Sequence, residues 1–169
     1  LSGYLGGAVW RWDAAATFNT PDGTLFSTVA NLDTSWTLMD RNWYGSIELH
    51  YNTMGSSDYE TLPGNTVLLE RLARGEVFTL GRAYLASTLQ VELHPLLNLY
   101  LTGIANLEDP SGVVLPRLVW SARQNLEVTL GGRLSLGAAG TEFGGIRLPG
   151  TARTTGSPDR LFLWIQAFF

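Results

Sequence analysis

The sequence predicts an all-β fold, an up-and-down antiparallel barrel of about eight strands, and three observations predict it. Apolar and polar residues alternate with a period of two over long segments, as they do on the two faces of a strand. The segments run about ten residues or longer, beyond the five or six usual for globular strands. Their connections are short and long in turn, so the long ones gather at one end of the sheet.

Taken in order, segments 3–18 and 24–38 are joined by a turn between Asn19 and Gly23, and 24–38 passes to 43–52 through Met39 to Asn42. A long connection, 53–81, leads to 82–94, where Ala83, Leu85, Leu89, Val91 and Leu93 alternate with Arg82, Tyr84, Gln90, Glu92 and His94. Segment 97–108 follows after a tight turn, then 113–123. The clearest alternation is in 125–136, with Leu126, Val128, Leu130, Leu134 and Leu136 on one face and Asn125, Glu127, Thr129, Arg133 and Ser135 on the other. A second long connection, 137–159, precedes the last strand, 160–169. Gly6, Gly7, Gly131 and Gly132 are read as strand glycines that relieve crowding. Within 53–81 a short helix is expected: Asn65 or Thr66 caps it, Leu68, Leu69 and Leu72 share a face, Glu70 pairs with Arg74, and Gly75 ends it.

The whole chain, 1–169, is expected to form a single domain, since 169 residues bury a sizeable core without staples. Charged residues are 15% against 45% hydrophobic, where an ordinary soluble domain carries about 25% charged. There is no cysteine, which excludes disulfides, thiolate catalysis and Cys-ligated metals. Its cations are all arginine, and a net charge of −4 with no basic stripe gives nucleic acid little footing. No apolar run is long enough for a membrane-spanning helix.

Charge is separated by face. The apolar parity of the eight segments holds no Asp, Glu, Arg or His. The opposite parity, read as lumen-lining, holds Arg11, Asp13, Asp33, Glu48, Arg82, Glu92, Glu108, Arg117, Arg123, Glu127, Arg133 and Arg160. On the apolar face, aromatics gather in two bands: Trp36, Trp43, Trp120 and Phe169 on the short-turn side, and Phe18, Phe26 and Tyr51 on the loop side. Such bands suit the two interfaces of a bilayer. The expected fold is therefore a transmembrane β-barrel with its apolar face toward lipid.

The C-terminal strand carries Leu161, Leu163 and Ile165 at alternating positions and ends in Phe169. In this it resembles bacterial outer-membrane β-barrel proteins, whose last strand commonly ends in an aromatic residue read by the insertion machinery. Ala167 stands where that family often has a further aromatic. The resemblance implies a Gram-negative outer membrane, secretion with a cleaved signal, membrane lipid as the surroundings and the barrel-assembly machinery as a partner. It implies no particular activity.

No catalytic residue, metal or cofactor is expected. Glu48 with His50 and Glu92 with His94 each share a face at a spacing of two, but they form two separate pairs, not one site. The inward arginines point instead to a porin-like or passive transport barrel whose field favours anions, tempered by inward carboxylates. A closed eight-stranded barrel is filled by its own side chains, so an open channel is expected only if these strands are the C-terminal part of a larger barrel, as a start at Leu1 without Met allows. Two alternatives are a closed barrel serving as an anchor or binding partners through its long loops, and a soluble lipocalin-like barrel around an apolar ligand.

Overall fold

A computed structural model describes residues 1–20, 23–59, 61–147, 150–151, 153–156 and 158–169. Parts of three expected connections, at 21–22, 60, and 148–149, 152 and 157, lie outside the described residues. The chain is all-β with one short helix. In order it forms β1 (Ser2–Leu5), β2 (Ala8–Thr20), β3 (Gly23–Leu38), β4 (Arg41–Asn52), a 3-10 turn (Leu62–Gly64), α1 (Thr66–Arg74), β5 (Ala83–His94), β6 (Leu97–Asn106), β7 (Ser111–Arg123), β8 (Leu126–Leu136), β9 (Ile146–Arg147), β10 (Thr154–Thr155) and β11 (Arg160–Ala167).

Nine strands make one antiparallel sheet in the order β1-β2-β3-β4-β5-β6-β7-β8-β11, and β9 and β10 form a separate ribbon in the long connection. Every neighbour is thus the next strand along the chain until β11 crosses the ribbon to reach β8. The sheet corrects the expected barrel: it is open, with β1 and β11 as its two edges. The first expected strand is also divided. Gly6, at φ 60°, and Gly7 make a tight turn between β1 and β2, not a continuous strand. This hairpin carries Leu1 back to mid-strand level, where its carbonyl accepts the Trp12 N–H at 2.8 Å.

Register confirms the two faces. Arg11 lies across from Asn31, Asn31 from Glu48, and Glu48 from Ala86, so the polar parity is continuous from strand to strand. The opposite parity carries Leu32, Leu49, Leu85, Leu89, Leu101, Leu130 and Leu134, each exposed even though it sits mid-strand. The buried apolar cluster lies elsewhere. Tyr59, Leu62, Leu68, Val77 and Ile146 form it, with Met54, Leu72 and Leu80 packed against it, so the chain's own core belongs to the two long connections.

The helix forms much as expected. Asn65 caps it by accepting the Leu68 N–H at 3.1 Å, Glu70 pairs with Arg74 at 3.5 Å, and Gly75 closes it at φ 71°. Leu68 and Leu72 enter the core, but Leu69 does not share their face and stays exposed. At the other end of the sheet, Met39 and Asp40 connect β3 to β4, both at positive φ (53° and 55°). Two such residues in a two-residue hairpin turn match the twist of the strands, a conformation usually left to Asn and Gly.

Candidate functional site

The polar face of the sheet, with the loop insert that folds onto it, is the candidate site. Two ladder irregularities remove residues that sequence parity had placed there. A bulge between Glu92 and His94 sets His94 across from Leu97, and His94 lies beside Leu118, Trp120, Val128 and Leu130 on the apolar face. An extra residue shifts every later side chain to the opposite face, so Glu92 and His94 are not a pair. The same effect between Ser121 and Arg123 puts Arg123 across from Leu126, a residue of the apolar parity.

The remaining charges divide unevenly. On β2 to β5 the polar face carries Asp13, Asp33, Glu48 and Glu92, with Arg11 as its cation. Arg11 is ion-paired with Asp33 and donates to Asn31 at 3.1 Å. The amino terminus lies 3.9 Å from Asp13, and Glu92 accepts a hydrogen bond from Asn42 at 2.9 Å. At the loop-side lip, Glu108 accepts the Arg82 N–H at 3.0 Å, and the Arg82 guanidinium donates to the Gly55 carbonyl at 2.9 Å. On β7, β8 and β11 the balance reverses. Arg117, Arg133 and Arg160 share the face, and Glu127 is the carboxylate of that parity, down near the short-turn end. Cross-strand ion pairing therefore holds for Arg11 and Asp33 but not for these arginines.

The loop insert is fixed to the sheet by a buried polar network that the sequence reading did not single out. Glu142 accepts from the Tyr84 hydroxyl at 2.5 Å, from the Asn106 amide at 2.7 Å and from the Leu80 N–H at 3.1 Å. The Asn106 amide also donates to the Tyr59 hydroxyl at 2.5 Å. Asp109 accepts the Glu142 N–H at 2.8 Å and the Ser111 hydroxyl. Desolvation holds the Tyr59 phenol well above its ordinary range, so it stays neutral. These contacts join 53–81 to 137–159 across the ends of β5, β6 and β7. Only the run Asn106, Glu108, Asp109, typical of Asx turns, offered a local hint; Glu142 had no sequence signal at all.

Below the insert a cavity of about 430 Å³ separates residues 76–79 from the polar face. Glu48, His50, Asn52, Tyr84 and Ile104 line its sheet side, and Glu76 and Phe78 its loop side. His50 lies 6.3 Å from Tyr84, ring centre to ring centre, so Glu48 and His50 do remain on one face. Among the described residues no group of three or more acidic or histidine side chains could hold a metal.

The aromatics expected to form the two bands stand in differing surroundings. Trp36 and Trp43 are a cross-strand pair, stacked at 6.3 Å, Trp120, Phe18 and Tyr51 are exposed, and Phe26 is half-buried. Leu161, Leu163 and Ile165 are exposed on β11. Phe169 lies beyond β11, which ends at Ala167, so the last strand is shorter than 160–169. No protein-family model matches this chain, and neither a curated protein nor a solved structure is found similar to it.

Proposed function

We propose that this sheet is part of the wall of a β-barrel in a Gram-negative outer membrane, with a porin-like passive transport role for small anions along its polar face. The observation that carries the reading is the exposure of large leucines along much of the apolar parity. Leu101, Leu130 and Leu163 have the side chains of a core yet stand exposed, and most of the sheet's charged side chains lie on the other face. Hydrocarbon is the medium in which such a face loses nothing by being exposed. The unpaired edges belong to the same reading. In lipid an open edge leaves N–H and C=O groups unsatisfied at several kcal/mol each, so the β1 and β11 edges require pairing, and where further strands supply it the wider barrel leaves room for a channel.

Native folding of the chain in plain buffer, without detergent or lipid, would sink the membrane reading. For transport, single-channel recording of the longest available form in planar bilayers should show conductance that falls when Arg117 and Arg133 are changed to Ala. An inserted but silent protein would point to the second reading, an anchor whose loop insert binds partners, which the buried Glu142 network favours by making the insert a fixed surface. Assembly is testable separately: removing Phe169 should lower insertion in cells more than refolding into detergent.

A further inference from the structure

The three arginines on β7, β8 and β11 are placed as no self-sufficient sheet would place them. Arg133 and Arg160 are direct cross-strand partners, and like charges facing each other across a ladder destabilise it. Arg117 is level with Gly131, two residues before Arg133 on the neighbouring strand, the diagonal separation at which long side chains still meet, roughly 7–8 Å between backbones. Among the described residues none of the three forms an ion pair. The nearby carboxylates are engaged with neutral groups: Glu142 with Tyr84 and Asn106, Asp109 with Ser111, and Asp159 with the Ser135 N–H at 2.7 Å.

Two further observations bear on these arginines. The Nε of Arg133 is buried and has no hydrogen-bond partner, a donor whose desolvation is uncompensated. Around it the surroundings are aromatic: the Arg133 guanidinium lies 6.0 Å from the Phe143 ring and that of Arg117 4.5 Å over Tyr100. The Phe162 ring occupies the space over Gly131, where a Cβ would come within 2.3 Å of it. Guanidinium stacking on rings fixes the planes of the forks and leaves their edges free to donate.

We propose that Arg117, Arg133 and Arg160 form a binding site for a phosphoryl oxyanion. Its charge offsets the facing arginines, and its several acceptor oxygens suit donors arriving from three strands. The site rests on the reading of the polar face as a solvated lumen, and it gives that reading a substrate class, small phosphate-bearing solutes.

The test is titration calorimetry of the full chain in non-ionic detergent at low chloride, with inorganic phosphate in one arm and a sugar monophosphate in the other. Saturable binding in either arm is expected, weakened roughly tenfold or more by Arg160→Gln or Arg117→Gln. Arg133→Lys keeps the charge but not the fork and should weaken binding as well, while Arg74→Gln, on the exposed helix, should not. Arg160 is exposed at the start of an edge strand, so its variant keeps the test open if a change at Arg133 prevents folding. Absence of saturable binding in both arms, or equal weakening by Arg74→Gln, would overturn the site. Phosphate binding by a protein silent in bilayers leaves the site standing and removes transport; conductance without binding does the reverse.

Discussion

Leucine meets two opposite fates in this chain. In the loop insert Leu68 is 1% exposed, while on the outer parity of the sheet Leu130 is 48% and Leu163 63% exposed. The insert folds as soluble proteins do, closing an apolar cluster and satisfying its buried polar groups from within. The sheet orders its backbone by pairing and leaves its apolar face for the surroundings to cover. One end of the molecule is thus held by its own packing, and the wall below it by hydrogen bonds and whatever medium meets its leucines.

The largest effect should come from breaking the insert. Leu68→Ala removes the most buried side chain of the core and is expected to cost about 2–5 kcal/mol, seen as a lower unfolding midpoint for the insert while the sheet's far-UV circular dichroism is kept. The corresponding break on the wall is Leu101→Arg. In lipid it should cost about 2–4 kcal/mol at the midplane, against about 0.5 kcal/mol or less for an exposed site in water. Refolding titrations into vesicles measure it, and a negligible cost there would remove the distinction between the two regions.

Smaller changes sharpen the contrast. Gly131→Ala drives a methyl into the Phe162 ring and should cost about 1–3 kcal/mol by overpacking, a test that the polar face near β11 is packed despite its exposure. Met39→Asn, at positive φ and 83% exposed, should stabilise the β3–β4 turn by up to about 1 kcal/mol, measurable by urea unfolding in detergent. The smallest effect is electrostatic. The Arg74 hydrogen bond at 2.6 Å lowers the Glu76 carboxyl below its ordinary 4.5. A lowered folded-state pKa gives stability that is full above the ordinary value and lost as pH falls through the lowered one. Glu76→Gln should therefore flatten the acid limb of the insert's stability, leaving the sheet's unchanged.

Much of the wall was legible because period two acts through backbone geometry alone. Arg11, Glu48, Arg117 and Arg133 fell on one face from parity and register alone. Parity failed where the ladder adds a residue: His94 and Arg123 sit at bulges, which depend on how two strands meet and leave no mark in either strand's alternation. The first strand was read through Gly6 and Gly7 because a glycine pair serves equally as a strand kink or a turn. Helix limits followed from Asn65 and Gly75, whose capping chemistry is local. Glu142 was not legible, since its partners Leu80, Tyr84 and Asn106 lie 62, 58 and 36 residues away in the chain. Closure of the sheet was not legible either, because curvature and the pairing of edges are properties of the assembled strands and not of any one of them.

The nearest-neighbour order of the sheet also bears on how it forms. From β1 to β8 each strand pairs with the one just before it, so contacts are made across turns and the one longer excursion at 53–81. Local contacts carry little loop-closure entropy and form quickly. β11 reaches β8 only across 137–159, and it is short and paired on one side. It is the strand expected to zip on last. In a hydrogen-exchange experiment on the chain with nothing paired at its edges, the β11 amides should divide by alternate residues, those turned toward β8 protected and those on the free edge exchanging at once, while β6 and β7 hold out to global unfolding.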